Sequence, residues 1–206
     1  NQPTSIMDKT ALLTFNPDDM KIDLFNPDRD ALLNKWGEFA DRIERISPWT
    51  TKAEIAWLME AASRNMIVGE VGSYKGKSCK AMAHACSGKV YAVDRFQDKT
   101  ELDFRENLRE ELLREKVSLL PMESSDGAKF LKGKVEFELF FIDADHLKDD
   151  VLRDIKIWLP LMAQNSLLAF HDCYPDEPDN GIAQALKEAL PNYKLVIDSI
   201  AVVLVK

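Results

Sequence analysis

Three groups of residues in this 206-residue chain could carry chemistry by their types and spacing. The first is Glu70-Val71-Gly72-Ser73-Tyr74-Lys75-Gly76-Lys77-Ser78, which follows the apolar run Met66-Ile67-Val68 and leads into a helical pattern. Glycines let a backbone approach a ligand closely at a helix N-terminus. Here they fall at 69, 72 and 76, which is not the G-x-G-x-x-G spacing. A carboxylate at Glu70 repels a pyrophosphate and suits a cationic ligand. The second group centres on Asp94, at the end of Val90-Tyr91-Ala92-Val93. In nucleotide-binding folds an acid so placed accepts hydrogen bonds from both ribose hydroxyls. The third is Asp143-Ala144-Asp145-His146 with His171-Asp172-Cys173, which holds two of the three histidines. Carboxylates beside imidazoles hold a divalent metal or move a proton. Each group also has a plain structural use: a glycine joint, a solvated strand-end acid, acids at a helix start, a polar turn.

These residues need elements to position them. Short β-rich runs read as strands at 66–71, 89–94, 117–121, 137–143 and 166–171, alternating with helices at 76–87, 99–115, 124–131, 148–161 and 180–190. Strict alternation implies a parallel sheet covered on both faces, an α/β three-layer sandwich. The runs 193–198 and 200–205 are joined almost directly and must pair as an antiparallel hairpin. In such sheets ligands bind outside the C-terminal strand ends, where the strand order reverses, and all three groups sit at strand ends.

Ahead of this pattern, a helix reads at 30–46, with Leu32, Leu33, Trp36, Phe39, Ile43 and Ile46 on one broad face. A second reads at 52–63, capped by Thr50 or Thr51. The first 28 or so residues hold the turn signals Asn16-Pro17-Asp18-Asp19 and Asn26-Pro27-Asp28 and read as an irregular arm. Its Leu12, Leu13, Phe15, Ile22, Leu24 and Phe25 suit packing on its own domain or on a second copy, so a homodimer is one expectation. Residues 1–63 are thus read as an arm and helices packed on the same domain as residues 64–206.

A net charge of −8 excludes an electrostatic footprint for nucleic acid, and Lys75-Gly76-Lys77 and Lys132-Gly133-Lys134 read as solvated loops. Cys79, Cys86 and Cys173 form no CxxC pair, which fits a reducing cytoplasm; the first two suit burial on one helix face. No apolar run approaches the roughly 18 residues needed to span a bilayer, so no membrane is expected.

E-x-G-x-x-x-G-x-S resembles the first motif of the class I S-adenosylmethionine-dependent methyltransferases. I-D-A-D-H, then D-x-x-x-W-L-P-L-M and H-D, resembles one branch of them: macrocin-type sugar O-methyltransferases, catechol O-methyltransferase relatives and cephalosporin-hydroxylase-like proteins. The likeness covers roughly residues 50–206. It implies a Rossmann-like, seven-stranded, mostly parallel sheet of order 3-2-1-4-5-7-6 with the C-terminal hairpin. It also implies S-adenosylmethionine bound by Glu70, Gly72, Ser73, Tyr74, Gly76, Ser78, Asp94 and Asp143, with Phe96 and Ser124 toward the adenine. Ser124 equally suits a helix N-cap. Asp143 and Asp172 would ligate Mg²⁺ or another divalent metal, with His171 at a third ligand position, and His146 would be the general base. Two features depart from the pattern. Ala163-Gln164-Asn165-Ser166 stands where many relatives have Pro-Gly-Gly, and Asn can supply the positive-φ turn. His171 replaces an acid, and hard Mg²⁺ prefers oxygen ligands.

The implied activity is methyl transfer to an oxygen of a small hydroxylated molecule, metal-assisted or not. The competing readings are a non-catalytic S-adenosylmethionine-binding module, a metal-dependent hydroxylase-like protein of the same branch, and a nicotinamide oxidoreductase, which the glycine spacing and hairpin disfavour. Trp36, Trp49 and Trp57 are candidates for an acceptor pocket, with core packing expected for at least two of them.

Overall fold

The computed structural model describes residues 22–206. The turn at 16–19 and the apolar Leu12, Leu13 and Phe15 lie outside the described residues. Seven strands form one sheet in the order β3-β2-β1-β4-β5-β7-β6, as the resemblance implies. They are β1 (Ile67–Val71), β2 (Lys89–Asp94), β3 (Val117–Pro121), β4 (Phe137–Ile142), β5 (Met162–Phe170), β6 (Lys194–Ile197) and β7 (Ile200–Val205). The first five run parallel; β7 pairs antiparallel with both β5 and β6. The order reverses between β1 and β4, so the ligand crevice of such a sheet falls between their ends.

Phe-Glu-Leu-Phe-Phe-Ile of β4 shows why the sheet is covered on both faces. Leu139 and Phe141 join one buried cluster; Phe137, Phe140 and Ile142 join the other. The first cluster takes in α1 (Arg29–Ile43), α2 (Lys52–Ala62), α3 (Lys77–Ala85) and Phe104 of α4 (Thr100–Asn107). The second takes in α6 (Ser124–Leu131), α7 (Lys148–Trp158) and α8 (Gly181–Ala189). A short α5 (Arg109–Leu113) follows α4. The single helix expected at 99–115 is therefore broken at Leu108, whose side chain packs under Gly76.

α2 forms where the sequence places it, and it is buried on all sides: every residue after Lys52 is buried. Glu60 tolerates this because Lys35, Trp36 and Arg64 all donate to it. Thr51 rather than Thr50 is the cap, in a reciprocal box with Glu54 that satisfies two otherwise free helix amides. Trp57 is fully buried and donates to Leu24 O at 3.0 Å, and Trp36 is part-buried, so two of the three tryptophans are structural. Cys79, Cys86 and Cys173 are free and buried. Asn165 takes φ +59° within β5, the conformation expected of it in place of glycine. No helix among the described residues is long and apolar enough to cross a membrane.

Candidate active site

The ends of β1, β2, β3, β4 and β5 and the loop before α2 line one cleft of about 450 Å³. Ten of the residues singled out in the sequence reach its wall: Gly72, Ser73, Tyr74, Ser78, Asp94, Ser124, Asp143, His146, His171 and Asp172. Glu70, Gly76 and Phe96 do not.

The glycine turn forms the wall nearest β1. Gly72 has φ +91°, and a Cβ there would lie 2.0 Å from the Asp143 carbonyl oxygen. Only glycine allows the tips of β1 and β4 to approach this closely. Gly76 has φ +85° and precedes α3 as its N-cap, so free amides of the first helical turn end at the cleft. Glu70 lies beneath. Its Oε2 accepts from Ser78 Oγ at 2.8 Å, whereas Oε1 and the Ser73 hydroxyl are buried with no partner among the described residues. Burial pushes the Glu70 carboxyl up to about 7, against the hydrogen bonds that favour its ionised form.

Asp94 is held in a fixed orientation. Its two oxygens accept from the backbone N–H groups of Tyr74, at 2.7 Å, and Phe96, at 2.6 Å. The Phe96 ring turns away from the cleft and meets Phe104 edge-on, with centroids 5.4 Å apart. The ring is thus not among the residues that line the cleft, whereas the neighbouring Arg95 is. Ser124 is the first residue of α6, not its cap. Its Oγ donates to Asp154 Oδ1 at 2.5 Å and accepts from Trp158 Nε1 at 2.9 Å.

At the other end, His171 is buried among three carboxylates. Nε2 lies 3.2 Å from Glu54 Oε2, and Nδ1 lies 3.2 Å from both Asp143 Oδ1 and Asp172 Oδ2. Burial alone would lower its pKa, but hydrogen bonds to Asp143, Asp172 and Glu54 outweigh it and raise it to about 12. The imidazolium in turn overcomes the cost of burying Glu54, whose pKa falls to about 2 with further bonds from Ser199 and Thr51. Burial of Asp172 is likewise outweighed by His171 and its pKa is lowered; at Asp143 burial wins and the pKa is raised. With both ring nitrogens turned to carboxylates, His171 is a poor metal ligand. The expected trio of Asp143, His171 and Asp172 is thus redrawn. The ligand atoms that converge, within 4.8 Å of one another, belong to Asp143, His146 and Asp172. His146 Nε2 lies 3.3 Å from Asp172 Oδ2 and is exposed to the cleft. Asp172 itself has φ +54°, a strained conformation that aspartate tolerates better than most residues.

Glu54 and Lys77 are among the site residues that escaped the sequence reading. Glu54 had a readable signal, T-x-x-E before an apolar run, but a capping box says nothing of His171, 117 residues on. Lys77 corrects the solvated-loop reading of Lys75-Gly76-Lys77. It is buried, and Nζ donates to the carbonyls of Ser47, at 2.7 Å, and Thr50, at 2.8 Å. This ties the loop carrying Trp49, which is 73% exposed and lines the cleft, to the glycine turn. Burial lowers the Lys77 pKa.

A sequence family described as "Methyltransferase domain" matches residues 70–173, from Glu70 to the residue after Asp172. No curated protein matches the chain. Among solved structures, cofactor-bound Rv0187 from MTB is similar with a TM-score of 0.63 and 22% identity, over 84% of this chain and 89% of that one. The SAH-bound methyltransferase PaMTH1 of Podospora anserina gives 0.63 and 21%, over 86% and 88%. The O-methyltransferase TomG from Streptomyces achromogenes, in complex with SAM, gives 0.62 and 16%, over 87% and 92%. At such identities the likeness establishes a shared fold.

Proposed function

This chain belongs to the methyltransferase-domain family as a class I S-adenosylmethionine-dependent enzyme, and from that premise we propose that it methylates an oxygen of a small hydroxylated molecule. The observation that carries the reading is the meeting of the glycine turn and the His146–Asp172 pair in one cleft. The O-methyltransferase among the similar structures supports oxygen as the acceptor atom. Among the described residues, 22–63 then belong to the same domain as residues 64–206.

The cofactor suits the residues present. Glu70 Oε1 and Ser73 Oγ are buried polar atoms that lack partners among the described residues, and Gly72 leaves a cradle that any Cβ would fill. S-adenosylmethionine, when bound, supplies a methyl group on a positively charged sulfur. Gly72, Ser73, Tyr74 and Ser78 form the wall along it, with Gly76 and the carboxylate of Glu70 behind. Asp94, already aimed by two amides, keeps lone pairs for the ribose hydroxyls. Asp143 closes the floor between the two halves.

Asp172 holds the Nε2 proton of His146, leaving Nδ1 with the lone pair that takes the acceptor's hydroxyl proton. His171 and Glu54 do not meet the acceptor; they hold Asp143 and Asp172 in place. His146→Ala should lower kcat about 10²–10⁴-fold with S-adenosylmethionine affinity unchanged. Unchanged turnover in a screen of hydroxylated acceptors would remove His146 from the role.

The convergence of Asp143, His146 and Asp172 favours a second reading, a divalent metal held by these three. Their mixed oxygen and nitrogen donors suit a softer ion than Mg²⁺. His146 would then be a ligand and not a base, and the metal would supply Lewis acidity. Chelator treatment separates the two: activity that survives it, and falls in His146→Ala, supports the base; activity restored only by added metal supports the ligand.

A further inference from the structure

Ser124 lines the cleft, yet its hydroxyl is bonded to the protein behind it. An indole N–H can only donate, so Ser124 Oγ accepts from Trp158. An ionised carboxylate can only accept, so the single hydroxyl proton goes to Asp154. One lone pair is left for a ligand. We infer that Asp154 is a positioning residue that makes Ser124 an obligate hydrogen-bond acceptor, so that this corner selects a purine carrying an exocyclic amine over one carrying a carbonyl. The inference rests on the S-adenosylmethionine reading and deepens it.

The arrangement is rigid. Asp154 and Trp158 are both buried and stand one turn apart on the same face of α7. The Trp158 ring stacks on Phe140 at 4.3 Å and meets Phe137 edge-on. Gly127 brings α6 close, since a Cβ there would lie 2.7 Å from Val93 Cγ1 and 3.5 Å from the Trp158 ring. Burial raises the Asp154 carboxyl to about 6, still ionised at pH 8. Glu123 also lines this corner and adds a second acceptor group. A carbonyl brought here would face lone pairs, and an unpaired buried polar group discriminates more strongly than a missing contact.

The test is calorimetric titration of the whole chain at pH 8 with S-adenosylhomocysteine and with its 6-oxo analogue, S-inosylhomocysteine. The expected wild-type preference for the amine is about tenfold or more. Trp158→Phe should keep that preference, because Ser124 still gives its proton to Asp154. Asp154→Ala should bring the two affinities within about threefold while both ligands still bind. Ser124→Ala, a smaller change at the cleft wall, should lose the preference as well and serves if Asp154→Ala does not fold. An Asp154→Ala protein that keeps the preference, or equal losses in Asp154→Ala and Trp158→Phe, would overturn the inference. So would wild-type protein that binds both ligands alike, with the cofactor reading left standing. Wild-type protein that binds neither would overturn the cofactor reading itself, and this inference with it.

Discussion

The glycine turn and the histidine cluster share one edge of the sheet, but neighbours in the chain make the first and distant residues make the second. Between Glu70 and Ser78 the turn closes on itself: Gly76 N–H donates to Ser73 O at 2.7 Å and Ser78 to Glu70 at 2.8 Å. The cluster instead draws on α2, the ends of β4 and β5, and the β6–β7 turn. Glu54 meets His171 across 117 residues and accepts from both the N–H and hydroxyl of Ser199 across 145. One half is held by backbone conformation, the other by a balance of buried charge. Steric changes should therefore break the first, and changes of charge or pH should break the second.

The largest effect is expected at Gly72, where the halves touch. Gly72→Ala forces a side chain into a positive φ and against the Asp143 carbonyl. Left-handed strain and overpacking together should cost roughly 4 kcal/mol. Because the clash separates β1 from β4, S-adenosylmethionine binding should vanish even below the melting temperature. Thermal unfolding together with calorimetry checks this; near wild-type affinity would show that the turn is looser than its geometry.

Glu54→Gln tests the other half without changing shape. Removing one charge from a buried pair costs about 3 kcal/mol, and here it leaves the His171 imidazolium with two carboxylates in place of three. The pH dependence carries the signature. His171 has a folded pKa of about 12 against an ordinary 6.5, so its contribution is complete below pH 6.5 and is lost as pH rises toward 12. The wild-type loss approaches about 1.4 kcal/mol per pH unit for this one proton. In Glu54→Gln the decline should flatten at a lower pH. Urea unfolding from pH 6 to 10 reads it, and parallel curves for the two proteins would show that Glu54 does not act through His171.

The same contrast explains what was legible in the sequence. The strand–helix alternation, the hairpin and the strand-end acids follow from hydrophobic period and motif spacing, both local signals, whereas the sheet order is what the family resemblance implies. So does Asn165, whose positive φ belongs to its own backbone. Phe96, Lys77 and His171 were placed less well. Each is set by a partner from another part of the chain: Phe104 for the ring, the Ser47 and Thr50 carbonyls for the ammonium, Glu54 for the imidazole. A linear motif carries the residue type but not the direction of its side chain. The full burial of α2 is hidden for a related reason. The partners of its Glu54 and Glu60, namely Lys35, Trp36, Arg64 and His171, come from outside the helix.

The smallest effect separates the halves by pH alone. Burial raises Glu70 to about 7 from an ordinary 4.5, so without ligand its contribution to stability is present below pH 4.5 and is lost as pH rises through 7. A cationic ligand reverses the preference, because its positive charge favours the ionised carboxylate beneath the turn. Below pH 7 binding must therefore release a proton, and S-adenosylmethionine affinity should rise about tenfold from pH 5.5 to 7. Glu70→Gln should bind more weakly at pH 7 and lose the slope. Titrations in buffers of different ionisation enthalpy count the released proton directly. A sloped wild type beside a flat Glu70→Gln would locate the acid-side dependence in the glycine turn, while the alkaline dependence of stability stays with His171. A wild-type affinity indifferent to pH over this range would mean that Glu70 keeps its proton under the ligand and acts as a neutral hydrogen-bonding floor.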